Sequence, residues 1–169
     1  LKNEVDFISL SESFDTSTPF GRAMIGILSV FAQLEREQIT ERTSLGRIAR
    51  AKDGYYHGGD ANKAPTGYNY VNGELVINEY EAECVRYIFN EYKKGKGYAK
   101  LFEGVQVKFP NVVKDNSTIS KILKRHLYRG FIEFKGELYK GKHIALIDDN
   151  TFYNVQKLMN KRANKNKHS

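Results

Sequence analysis

Residues 15–52, DTSTPFGRAMIGILSVFAQLEREQITERTSLGRIARAK, carry one unbroken helical pattern that changes character halfway, from an apolar stripe to dense charge. Pro19 suits the first helical position, where its missing N–H would be unpaired anyway, and Thr18 or Ser17 can cap the helix. The pattern predicts a helix to about Lys52, roughly 34 residues and about 50 Å long at ~1.5 Å per residue. An uninterrupted pattern beyond about 25 residues points to a coiled coil, a membrane span or an element bridging domains. Its charges exclude the membrane.

Phe20, Ala23, Met24, Ile27, Leu28, Phe31 and Leu34 recur at helical spacing and form a stripe that needs a partner surface. The residues before it offer one plausible strand, Val5 to Leu10, and a single strand cannot cover the stripe. With Leu rather than Met at position 1, the expectation is a fragment of a longer protein. Continued past Leu34, the same face carries Glu35, Gln38 and Arg42 where a core would require Leu or Ile. Periodicity alone leaves two readings open: a solvated helix supported by weak pairs three or four residues apart, or a polar functional face.

Lys and Arg number 27 against 20 Asp and Glu, a formal charge of +7 that favours a polyanionic partner. The excess is concentrated late, in Lys121, Lys124, Arg125, Arg129, Lys135, Lys140 and Lys142, opposed locally by Glu133 and Glu137. Cys84 is the single cysteine, so a disulfide framework and a Cys-rich zinc site are both excluded. His57, His126, His143 and His168 lack metal-ligand spacing, and neither a metal nor a cofactor is assigned. With no signal peptide and no apolar run of about 18 residues, a soluble, cytoplasmic protein is expected.

Three glycines and a proline between Asp53 and Pro65 predict a linker. Its basic approach through Arg47, Arg50 and Lys52, followed by Tyr55 and Tyr56, fits a segment lying on a phosphate backbone, and equally fits a plain tether. Asn72-Gly73 between two short β-prone runs predicts a type I′ hairpin, because that turn needs positive φ twice. Asn78 can cap a following helix that buries Val85, Ile88, Phe89 and Tyr92 and ends at Lys93-Lys94-Gly95. A shorter helix carries Tyr98, Leu101, Phe102 and Val105. A third, from about Ser117 to His126, buries Ile119, Ile122, Leu123 and Leu127 and turns Thr118, Lys121, Lys124 and Arg125 outward. A basic hairpin at Phe131 to Lys140 and a last helix from Asp149 to about Lys161 complete the chain. The fold class is therefore mostly α with small β-hairpins: a long projecting helix over 1–52, a linker over 53–65, and a small helical domain with hairpins over 66–169.

Phe7-Ile8-Ser9, the run from Asp15 to Arg22, Ala32 to Arg36, Glu41-Arg42-Thr43 and Gly46-Arg47 together resemble the end of the catalytic domain and the long helix of serine recombinases. These are the resolvases, invertases and phage integrases that recombine DNA at specific sites. Ala64 to Tyr68, Leu123 to Gly130 and Asp148 to Gln156 resemble the recombinase domain of the large members. The resemblance covers nearly the whole chain. It implies cleavage through a phosphoserine intermediate that conserves the phosphodiester energy, without ATP or metal. It implies Arg42 as a fork toward the transition-state phosphate and Glu41 as its orienting partner. Double-stranded DNA would be contacted by Arg36, Arg47, Arg50, Lys52, Lys121, Lys124, Arg125 and Arg129. The stripe from Phe20 to Leu34 would pair protomers as a homodimer and join four in a synaptic tetramer. The family's serine motif and arginine-rich segment are not found here, and Ser9, Ser11 and Ser13 lack a nearby base. The chain alone is thus expected to be inactive and to bind DNA. A non-catalytic DNA-binding regulator with a helical dimerisation element explains the charge and short helices but not the ordered motifs.

Overall fold

The computed structural model describes residues 8–9, 14–15, 17–58 and 64–165. The chain divides into two compact units, Leu1–Gly46 and Arg47–Ser169.

In the first unit β1 (Ile8–Ser9) pairs antiparallel with β2 (Phe14–Asp15). The expected strand from Val5 to Leu10 coincides with β1 at its centre, and its other residues lie outside the described ones. Helix α1 spans Pro19–Lys52, 34 residues, with the bounds expected from the proline and the charge pattern. Thr18 caps it: the Gly21 N–H donates to the Thr18 hydroxyl at 3.0 Å. The apolar stripe is open, with Phe20 71% and Phe31 64% exposed. An isolated helix gains little from propensity alone, so such a face calls for burial.

The second unit has its core around α2 (Glu79–Lys93), which packs on α3 (Tyr98–Lys108), α4 (Asn116–Lys124) and α5 (Asp149–Lys165). Val85, Ile88, Phe89 and Tyr92 are all fully buried on one face of α2. Asn78 caps α2 by accepting from the Glu81 N–H at 3.3 Å. Leu101 and Val105 of α3, Ile119, Ile122 and Leu123 of α4, and Phe152 and Val155 of α5 close the core. Cys84 is buried with them, and burial pushes its thiol up to about 12, which leaves it unreactive.

Two hairpins flank the helices. In β3–β4 (Tyr68–Val71 and Glu74–Ile77) Asn72 and Gly73 take φ of 50° and 87°, and in β5–β6 (Phe131–Phe134 and Glu137–Lys140) Lys135 and Gly136 take 50° and 83°. Both are turns with two consecutive positive φ values, the arrangement that follows the right-handed twist of paired strands.

The helix expected from Ser117 to His126 ends earlier, at Lys124. Arg125 is extended (φ −80°, ψ 116°), and a 3₁₀ turn, His126–Arg129, follows and ends at Gly130 with φ 88°. Leu127, four residues after Leu123, is buried as helical spacing expects, and Tyr128 beside it is buried as well.

Candidate nucleic-acid interface

Charge on α4 is positioned by its apolar face. Ile119, Ile122 and Leu123 point inward, so Lys121 and Lys124 are exposed on the other side, and Arg125 projects from the break that follows. Asp115 caps the helix by accepting from the Thr118 N–H at 2.8 Å. The Ser117 hydroxyl and the Thr118 N–H hold the Asp115 carboxyl down to about 2. The cap is therefore ionised at any physiological pH.

Below α4 lie two adjoining hollows of about 390 and 300 Å³. The first is lined by Thr66, Thr118, Lys121, Lys124 and Tyr128, the second by Tyr56, His57, His126 and Lys135, and Arg125 and Glu133 line both. Cationic side chains stand around these hollows, whose floors are partly apolar through Ile122, Leu127 and Ile132. The cations at the rims suit phosphate oxygens.

The other cations expected at DNA sit in different surroundings. Arg36, Glu41, Arg42 and Arg47 are exposed on α1, and among the described residues no ion pair engages them. Arg36 and Arg47 lie 11 residues apart, about three helical turns, so they share nearly one face. Lys52 is exposed at the helix end. Arg50 is half-buried, donating to the Gly73 carbonyl at 2.7 Å, the Tyr70 hydroxyl at 3.1 Å and the Tyr56 carbonyl at 3.3 Å. The first two tie the last turn of α1 to the β3–β4 hairpin, and the third ties it to the segment that follows α1.

Arg129 is enclosed. It is only 9% exposed, donates to His126 Nδ1 and to Asp149 Oδ1, both at 2.9 Å, and lies over the Phe131 ring at 4.1 Å. Phe152 and Tyr153 stack on it from α5. Two of its donors are thus satisfied from within the domain.

Residues 53–58, the first part of the segment read as a linker, pack on the domain. The Lys142 N–H donates to the Gly54 carbonyl at 2.8 Å, Lys142 Nζ sits 4.1 Å over the Tyr55 ring, and His57 Nε2 donates to the Glu133 carbonyl at 2.8 Å. Residues 59–63 lie outside the described ones. Sequence reasoning noted Glu133 only as a local countercharge. The signal that places it was available: strand alternation sends Ile132 inward and therefore Glu133 outward.

Two histidines link this region to pH. Burial first, then the Arg129 guanidinium, hold the His126 imidazole below its ordinary pKa, with Glu133 opposing. Burial also lowers His143, whose Nε2 donates to the Leu127 carbonyl at 2.7 Å while Nδ1 is buried and has no hydrogen-bond partner among the described residues. A folded-state pKa below the unfolded value of about 6.5 means stability is complete above that pH and is lost as pH falls through the folded values. The urea midpoint should therefore drop between pH 7 and 5, before the strongly held carboxyls Glu91 and Asp115, at about 2, begin to protonate. His143→Gln should flatten part of that slope, and a wild-type midpoint constant over this range would contradict the burial argument.

The family model for the resolvase N-terminal domain matches residues 1–56, and that for the recombinase domain matches residues 79–162. Among curated proteins, the DNA-invertase of Escherichia phage P1 is 44% identical over 50 residues, 30% of this chain and 27% of the invertase. The Tn917 transposon resolvase of Enterococcus faecalis is 32% identical over 94 residues, 54% of this chain and 48% of the resolvase. The chain thus spans about a quarter to a half of the length of these relatives. Of solved structures, an LSR–DNA complex is alike in fold, with a TM-score of 0.65 and 24% identity over 72% of this chain and 38% of that one. Another, from work on the sequence requirements of the Listeria innocua prophage attP site, has a TM-score of 0.64 and 25% identity over 70% of this chain and 51% of that one. The fold is mostly α with small hairpins in the manner of these structures, and among the described residues no helix is long and apolar enough to cross a membrane. With the resolvase and recombinase signatures in succession along one polypeptide, the chain belongs to the large serine recombinase family.

Proposed function

We propose that this chain is the DNA-binding portion of a site-specific recombinase, that it holds duplex DNA against the α4 surface, and that it does not cut DNA by itself. The carrying observation is the exposed trio Lys121, Lys124 and Arg125 beside a concave surface, at the end of a helix whose other face is core. Similarity to a structure described as an LSR–DNA complex supports the same partner. Arg36, Arg47 and Lys52 add exposed positive charge along α1. Arg129 is omitted from this set because its guanidinium is enclosed, and Arg50 is assigned to bracing the β3–β4 turn.

In the whole recombinase, Arg42 stabilises the phosphate transition state through its planar fork and Glu41 orients it. The nucleophile is assigned to none of this chain's serines, which supports a binding role for the chain alone. The stripe from Phe20 to Leu34 pairs two protomers, and four assemble at synapsis. Its open aromatic residues support that reading, since exposed apolar faces of this kind mark association sites.

Binding to duplex DNA should weaken with salt, with log affinity falling by about 0.9 per phosphate neutralised for each decade of salt. Lys121→Glu, Lys124→Glu and Arg125→Glu introduced together should flatten that slope and lower affinity at every salt concentration. A triple variant that binds like the wild type across the range would make α4 a solvated face and remove the proposal's basis.

A further inference from the structure

Glu133 stands where a phosphate-binding surface should not have a carboxylate. It lines both hollows beside Arg125, with Lys121, Lys124 and Lys135 around the same rims. It is exposed, and among the described residues no ion pair engages it. At physiological salt, screening acts over about 8 Å, so a carboxylate amid these cations repels a nearby DNA backbone and weakens general attraction.

Its backbone is firmly held. Ile132 beside it is 1% exposed, the Glu133 carbonyl accepts from His57, and β5 pairs Glu133 with Leu138. The pleat then directs the carboxylate away from the core. An ionised carboxylate accepts hydrogen bonds and donates none, so DNA must offer it an N–H. Phosphates and sugars of DNA have none, whereas the cytosine N4 amino group in the major groove is the donor that a Glu side chain pairs with.

Resting on the DNA-binding reading above, we propose that Glu133 is a base-contacting, specificity-determining residue that accepts from a cytosine amino group while Arg125 and the α4 lysines hold the adjoining phosphates. The carboxylate costs the chain general affinity and returns discrimination at one base pair. This division between positioning contacts and base contacts is the ordinary logic of DNA recognition.

Selection from a randomised duplex pool by the full chain tests it, followed by competition binding against unselected duplex. The wild type should enrich C at one position, with a preference on the order of tenfold over other bases there. Glu133→Gln should shift that position toward A, because an amide pairs with adenine N6 and N7, and leave the remaining positions unchanged. Glu133→Ala should erase the preference at that position alone and bind unselected duplex a few-fold more tightly. Both variants keeping the wild-type preference, even with tighter general binding, would reduce Glu133 to a charge that trims affinity and overturn the proposal. A wild-type chain that retains no duplex would instead overturn the DNA-binding reading itself, and that result is read before any variant is made.

Discussion

Arg42→Ala, introduced into a full-length recombinase carrying this chain, is expected to lower DNA cleavage and strand exchange by roughly 10²–10³-fold while leaving site binding largely intact. The argument is electrostatic. As a phosphodiester passes to five-coordination, charge gathers on its non-bridging oxygens, and a fixed donor aimed there contributes about 3–4 kcal/mol in comparable anion-stabilising sites. Arg42 is exposed on α1, and no ion pair among the described residues competes for its guanidinium. Arg42→Lys should rescue poorly, since an ammonium keeps the charge but loses the planar two-point fork. Single-turnover cleavage beside a binding titration on the same duplex separates the outcomes. Near-normal recombination by Arg42→Ala would refute the catalytic role, and parallel loss of binding and recombination would make Arg42 a backbone-positioning residue.

Arg129→Ala is expected to destabilise the second unit by about 2–3 kcal/mol and to leave the salt slope of DNA binding unchanged. Three aromatic rings, His126 and Asp149 surround this side chain, so truncation leaves a cavity and removes both cation–π contact and two hydrogen bonds. Asp149 itself stays largely exposed, so losing the arginine does not strand a buried negative charge. That is why the expected loss falls below that of a fully buried broken pair. Urea unfolding measures the first quantity and a salt titration of DNA affinity the second. A variant as stable as the wild type but with a flatter slope would return Arg129 to the DNA-contacting set.

The contrast between Arg129 and Lys124 explains why the candidate site was only partly legible. Counted along the sequence, both are cations in one basic stretch following an apolar helix. Their fates diverge because Arg125 leaves the helix, and the 3₁₀ turn then carries Arg129 among Phe131, Phe152 and Tyr153. Phe152 and Tyr153 come from α5, up to 24 residues away, and no local pattern announces them. The same reasoning covers Arg50, whose acceptors at Tyr70 and Gly73 lie across the β3–β4 hairpin. Strand β2 was also missed: two residues carry no periodicity to read.

Where interactions are local, the residues alone were sufficient. Thr18 and Pro19 start α1, Asn72-Gly73 makes its turn, Asn78 caps α2, and the apolar spacing of Val85, Ile88, Phe89 and Tyr92 names the buried face. Each depends on contacts within about one turn of chain, the range over which a side chain can bias its own backbone. The tertiary structure alone decided which cations remain open to solvent, that residues 53–58 dock on the domain, and that Glu133 shares its hollows with Arg125. These outcomes depend on which distant surfaces meet when the core closes. A charged side chain is equally soluble in the unfolded chain wherever it stands, and only the packing around it determines whether its donors end on protein or are left for a ligand.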